Sequence, residues 1–259
     1  LTILHGIRQL LPQYDYIYLG DNARAPYGPR SFDVVYEFTR QAVQKLFEMG
    51  CQLVILGCNT ASAKALRSIQ QHDLPQWDPK RRVLGVIRPT AEIIGKLTRN
   101  GHVGLLATEG TVKSHSYDME IAKLWPNIKV TGQACPFWVP LVEYNEADSP
   151  GADYFVKKRI DQLMQLDPDI DTIILGCTHF PLLMPKILKY VQPGVRIVPQ
   201  GEYVAGSLKD YLHRHTDMAS RLTTGASVKY YTTENPDKFK ESASIFLHER
   251  VHVEHIELG

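Results

Sequence analysis

Short runs of leucine, valine and isoleucine alternate with amphipathic helical patterns along most of this chain's 259 residues. A strand that is apolar on both faces must be covered on both, so such alternation leads to parallel sheets with helices on either side. The periodicity predicts strands at 16–19, 53–56, 83–86, 102–106, 129–135, 172–175, 195–198, 228–232 and 251–256. Helices are expected from the first residues to near Leu11, then at 31–49 closed by Gly50, at 61–71, and after Val86 through Pro89 and Thr90. Further helices are expected at 112–124, 152–164, 182–190, 204–214 and 237–249, and residues 76–80 read as a polar surface loop. The fold class is therefore α/β, and with no low-complexity linker in sight two lobes have to be interwoven. The chain opens on Leu1-Thr2-Ile3-Leu4 and enters a helix at once. An α/β domain places a strand and a loop first, so a preceding strand is expected to be missing from this sequence.

One segment is echoed in the other half of the chain. Leu53-Val54-Ile55-Leu56-Gly57-Cys58-Asn59-Thr60 matches Thr172-Ile173-Ile174-Leu175-Gly176-Cys177-Thr178-His179 in pattern. Each is a buried strand running into Gly, Cys and a small polar residue before a helix. Ligands of open α/β sheets bind beyond the carboxyl ends of strands, where both cysteines sit. Either cysteine alone reads as a small core residue; the matched pair reads as chemistry. Cys51 and Cys135 lack the strand-end context and read as packing residues.

Composition narrows the function. Lys+Arg 29 against Asp+Glu 28 leaves a formal charge of +1, which gives no bulk attraction to nucleic acid or an acidic membrane. The clusters Lys80-Arg81-Arg82 and Lys157-Lys158-Arg159 read as solvated faces. Four scattered cysteines without a CxxC pair fit neither a secreted disulfide scaffold nor a zinc ribbon, so free thiols in the cytoplasm are expected. No apolar run approaches a membrane span, and no secretory signal opens the chain. Neither a Walker motif nor GxGxxG is present, so no nucleotide is expected. Cys177-x-His179 without further ligands leads to no metal.

Two cysteines facing one pocket suggest a thiolate base on one side and a thiol acid on the other. A free thiol has pKa about 8.5, and lowering it to about 7 requires roughly 2 kcal/mol of selective thiolate stabilisation. A helix start after each cysteine supplies part of this, and His179 can add more as cation or proton donor. Removing a proton from one face of a carbon and returning one on the other inverts a stereocentre without a cofactor. The loop Ala107-Thr108-Glu109-Gly110-Thr111 offers N–H groups and hydroxyls for a carboxylate without Lys or Arg. Taken singly, Thr108 and Thr111 read as helix caps.

Six blocks together resemble glutamate racemase, of the aspartate/glutamate racemase superfamily. They are Gly20-Asp21-Asn22-Ala23-Arg24-Ala25-Pro26-Tyr27-Gly28, Cys58-Asn59-Thr60-Ala61-Ser62-Ala63, Gly85-Val86-Ile87-Arg88-Pro89-Thr90, the Ala107 to Thr111 loop, Val139-Pro140-Leu141-Val142-Glu143 and Gly176-Cys177-Thr178-His179-Phe180-Pro181-Leu182. They follow the family's order and cover most of the chain. The resemblance implies a cofactor-independent two-base enzyme supplying D-glutamate for peptidoglycan. It implies two similar doubly wound domains related by pseudo-symmetry, with the active site in the cleft between them. Residues 1–90 with 202–259 would form one domain and 91–201 the other. Cys58 matches the cysteine that works on D-glutamate and Cys177 the one that works on the L-enantiomer; His179 and Glu143 match groups assisting the second. Tyr27, Gly28, Asn59, Thr60 and Thr178 match substrate-contacting positions, and Thr108 and Thr111 resemble positions that hold the carboxylate. The family's opening Asp-Ser-Gly loop, whose aspartate assists the first cysteine, has no counterpart here. Gln200-Gly201-Glu202 stands where the family often has Asp-Ser. Members occur as monomers and as differently arranged dimers, and a homodimer is the expected assembly. The sequence leaves open a racemase for aspartate or a related amino acid, and a catalytically silent paralogue that binds a carboxylated ligand.

Overall fold

A computed structural model describes residues 1–247 and 251–258, without the side chains of residues 242 and 244–246. Nine strands are found among the described residues: β1 (Tyr16–Gly20), β2 (Leu53–Leu56), β3 (Arg82–Gly85), β4 (His102–Ala107), β5 (Lys129–Ala134), β6 (Thr172–Gly176), β7 (Arg196–Val198), β8 (Val228–Thr232) and β9 (Val253–His255). Every ladder between them is parallel. The expected α/β class with parallel sheets holds.

The second half carries one sheet in the order β5-β4-β6-β7. Its central strands β4 and β6 are apolar on both faces, and alternate residues feed two cores. Leu106, Ile173 and Leu175 pack with Trp138, Val156, Ile160, Leu163 and Phe180 on one face. Leu105 and Ile174 pack with Ile87, Ala91, Ile94, Tyr117 and Ile121 on the other. The register pairs Ala107 with Gly176, so Thr108 and Cys177 leave the sheet side by side.

The first half departs from a single doubly wound sheet. Its strands form a three-stranded sheet, β1-β8-β9, and a separate pair, β2-β3. β1 takes its partner from the far end of the chain, Tyr16 opposite Val228, while β2 pairs Leu56 with Gly85. Among the described residues no strand bridges β1 and β2. The β2-β3 register brings Gly57-Cys58 and Val86 out together at the carboxyl end.

Several helices differ from the periodicity. Ser31 caps the helix Phe32–Glu48 by accepting from the Val34 N–H at 3.4 Å, and Gly50 closes it at φ 96, as expected. The helix predicted over 61–71 instead runs as successive helical segments from Asn59 to Trp77, including a π turn at Ile69–Asp73, so the surface loop begins only at Asp78. The helix predicted over 112–124 is broken by His115 at φ 52 into Glu109–Lys113 and Ser116–Leu124. Trp138–Glu143 is helical although periodicity gave no helix there, because Trp138 and Val142 one turn apart bury into the core. The last helix is described over Pro236–Leu247; the predicted end at Glu249 lies outside the described residues. Among the described residues, no helix is long and apolar enough to cross a membrane.

Candidate active site

Cys58 follows β2 with extended backbone (φ −140, ψ 125) and is the N-cap of the helix Asn59–Lys64. Its sulfur accepts from the Ala61 N–H at 3.5 Å. N–H groups at a helix start favour a thiolate, yet burial dominates and raises the Cys58 pKa against the Ala61 and Thr60 hydrogen bonds. Cys177 follows β6 but precedes only a short 3-10 turn, Phe180–Leu183. It is 6% exposed, and burial pushes its pKa up to about 12. The backbone N–H groups of His179 and Phe180 oppose that shift, while the charges of Cys58 and Glu143 add to it. The expected lowering of both thiols by helix starts is thus reversed by desolvation. All four cysteines are free.

Thr108 leaves the sheet beside Cys177 and meets Thr60 at 2.9 Å, so Cys58 and Cys177 open on a common region that His179 links to Glu143. The half-buried Tyr18 phenol is raised by desolvation and also feels both Glu143 and Cys58. His179 bridges its two partners: Nδ1 lies 3.9 Å from the Cys177 sulfur and Nε2 lies 2.5 Å from Glu143 Oε1. The His179 hydrogen bond holds the Glu143 carboxyl below its usual range. A carboxylate on one ring nitrogen fixes a proton there and leaves the other nitrogen to serve the sulfur.

The threonines gather beside Cys58. Thr60 Oγ1 lies 2.9 Å from Thr108 Oγ1 and 3.5 Å from Thr111 Oγ1, and the Thr108 and Thr111 hydroxyls are 3.1 Å apart. Thr108 also caps its helix through the Thr111 N–H at 3.3 Å, so capping and clustering coexist. Gly28 is drawn in through its carbonyl, which accepts from the Gly110 N–H at 3.1 Å. A Cβ at Gly28 would stand 3.0 Å from Thr108 Cβ, so the close approach needs glycine. Tyr27 differs: its hydroxyl donates to Asp21 and not to the threonines. Thr178 offers its carbonyl to the Thr2 hydroxyl at 2.8 Å. Asn59 is buried, bonded to Gln200 at 2.6 Å and to Tyr117 at 2.7 Å.

Two features escape sequence reasoning. Lys64 is 8% exposed, donates to the Arg30 carbonyl at 2.5 Å, and lies so near Gly110 that a Cβ there would meet Nζ at 2.8 Å. The carboxylate loop therefore does have an ammonium beside it. The position reads as an exposed helix residue in sequence and carries no signal. Gln200 is visible in sequence only as a departure from a family pattern. Among the described residues His102, Asp167 and Asp169 could hold a cation, but the Lys129 ammonium already sits 2.9 Å from Asp167. His102 opens β4, at the opposite end of the sheet from Cys177.

The Asp/Glu/Hydantoin racemase family model matches residues 2–204. A glutamate racemase of Ruegeria sp. is 37% identical over 261 residues, covering 97% of this chain and 94% of that protein. The crystal structure of a glutamate racemase from Bacillus anthracis superposes with a TM-score of 0.89 at 32% identity, covering 99% of this chain and 93% of that one. The Francisella tularensis glutamate racemase in complex with D-glutamate gives 0.87 at 28% identity, covering 99% and 93%.

Proposed function

The chain belongs to the Asp/Glu/hydantoin racemase family, and we propose that it interconverts L- and D-glutamate with two thiols, supplying the D-enantiomer for peptidoglycan. The observation that carries this reading is the pair of strand-end cysteines, one from each half of the chain: Thr108, which leaves the sheet beside Cys177, meets Thr60, two residues past Cys58, at 2.9 Å. Glutamate as substrate rests on relatives named for it and on the neighbour that holds D-glutamate.

In the proposed reaction the Cys58 thiolate takes the α-proton of D-glutamate, and the C–H electron pair passes to the α-carbon and its carboxylate. The Cys177 thiol then delivers a proton to the opposite face. Cys58 ends as thiol and Cys177 as thiolate, so the pair must exchange a proton with solvent, or run in reverse, before the next turnover. His179, held by Glu143, takes up or returns the proton at Cys177. The hydroxyls of Thr60, Thr108 and Thr111, with Asn59, Thr178 and the backbone of Tyr27-Gly28, hold the substrate's carboxylates. The balance needs no cofactor or metal. Buried thiols favour the neutral form, so the thiolate has to be stabilised by groups arriving with substrate. The ammonium of the amino acid is the natural candidate.

The division into 1–90 with 202–259 and 91–201 puts one of the two proposed catalytic cysteines, Cys58 and Cys177, on each body. The four-stranded sheet, contained within 102–198, supports it. The four free thiols support a cytoplasmic location, and a homodimer is the expected assembly, checked by light scattering. The substrate test is direct: purified protein given L-glutamate, D-glutamate or aspartate should bring only glutamate to zero optical rotation. Equal or faster turnover of aspartate would overturn the substrate assignment.

A further inference from the structure

Asn59, Tyr117 and Gln200 come from three separate parts of the chain and close a ring of hydrogen bonds. Asn59 Nδ2 donates to Gln200 Oε1 at 2.6 Å, Gln200 Nε2 donates to the Tyr117 hydroxyl at 2.6 Å, and Tyr117 donates to Asn59 Oδ1 at 2.7 Å. The ring has one polarity only, and the backbone sets it. Gln200 Nε2 lies 3.1 Å from the Val86 carbonyl, which can only accept, so the amide nitrogen of Gln200 must face that way. Its Oε1 then faces Asn59 and accepts. Asn59 therefore turns its nitrogen to Gln200 and its oxygen to Tyr117, which has to donate. All three side chains are at most 2% exposed, so no water replaces a lost partner cheaply.

The ring stands between the two halves of the site. Asn59 follows Cys58 directly, Val86 leaves β3 beside it, and Tyr117 and Thr90 belong to helices packed on the second half's sheet. One Nδ2 hydrogen of Asn59 is used by Gln200; the other has no protein acceptor among the described residues. From this geometry we infer that Gln200 and Tyr117 are positioning residues for the racemisation: they clamp the Asn59 carboxamide so that its second N–H is offered to a carboxylate of the bound amino acid. The inference rests on the racemase reading and deepens it. It also gives a role to Gln200, whose place the family often fills with a shorter side chain. A shorter residue cannot span Asn59, Val86 and Tyr117 together.

The test is Tyr117→Phe, which removes one hydroxyl from a fully buried ring position. An N–H that binds substrate and transition state alike acts on KM. The variant should raise KM for both enantiomers about tenfold, with kcat within about threefold, the scale of an unpaired buried polar group. Protein that is merely misfolded loses kcat through its active fraction and keeps its KM. In the Asn59→Ala background, adding Tyr117→Phe should change KM by less than about twofold, since the residue it acts through is gone. Thr90→Val, whose hydroxyl meets Gln200 and Tyr117 but closes no edge of the ring, should raise KM less than Tyr117→Phe does. Calorimetric affinity for D-glutamate reads the same clamp if turnover is absent. Absent turnover with intact binding would therefore count against the racemase reading alone. A wild-type KM in Tyr117→Phe, or the same KM rise with and without Asn59, overturns the inference.

Discussion

Alkylation of Cys177 tests whether desolvation outweighs every group that favours its thiolate. Burial pushes this thiol to about 12, against the N–H groups of His179 and Phe180. Near pH 8 a thiol of pKa about 12 is ionised to roughly one part in ten thousand, whereas a free cysteine of pKa about 8.5 is roughly a quarter ionised. The thiolate fraction is thus about 2,400-fold smaller. A more basic thiolate is a better nucleophile, and a Brønsted slope near 0.45 over about 3.5 units returns roughly 40-fold. Cys177 in the ligand-free protein should therefore react with iodoacetamide at least about fifty-fold more slowly than after unfolding in urea, before occlusion is counted. Its rate should climb about tenfold per pH unit up to near pH 10 without a plateau. Mass spectrometry of the Cys177 peptide, sampled over time at each pH, reads both quantities. A plateau near pH 8.5, or a rate equal to that of the unfolded chain, would refute the argument that burial governs the site.

Glu143→Gln keeps the shape of the His179 contact and removes its charge. Because Glu143 is 39% exposed, the loss should be about 1 kcal/mol, or roughly fivefold in kcat/KM, read by circular dichroism of either enantiomer. Lys64→Met removes the ammonium packed beside Gly110 and should raise KM for glutamate about threefold, the size of a modest electrostatic contribution; an unchanged KM would mean that the lysine only packs. Burial raises the Asp167 pKa, but hydrogen bonds from His102 and Lys129 outweigh it and bring the group to about 2. Its folded value lies below the ordinary 3.8, so its contribution is present above that value and lost as pH falls from there through about 2. Urea denaturation across that window should show a smaller acid loss in Asp167→Asn than in wild type.

The strand order and the site were not equally legible. The Gly-Cys motifs at 58 and 177 could be placed because a buried strand, a glycine and a helix form a local pattern, and the structure puts both at strand ends. The threonine cluster was legible as separate caps, but not as a group, since Thr60 and Thr108 meet across 48 residues. The break at His115 had no Gly or Pro to announce it; a left-handed histidine is a tertiary outcome. Pairing of β1 with β8 joins residues 212 apart, a choice that periodicity does not encode. The thiol pKa values escape the sequence for the same reason. Helix starts are visible in sequence, whereas the apolar surroundings of Cys177, including Trp138 and Phe180, assemble only in three dimensions. The ring through Asn59, Tyr117 and Gln200 likewise needs three distant segments to coincide.

The central claim, two thiols acting on opposite faces of one carbon, is tested most directly in D2O. Each glutamate enantiomer is incubated with wild type, Cys58→Ser and Cys177→Ser, following circular dichroism and the α-proton resonance together. Wild type should bring the signal to zero, and the newly formed enantiomer should carry deuterium at the α-carbon. Each serine variant should lose at least about a thousandfold in racemisation, because a hydroxyl is far too weak an acid to replace a thiol. Racemisation at wild-type rates in either variant, or inversion without deuterium uptake, would contradict it.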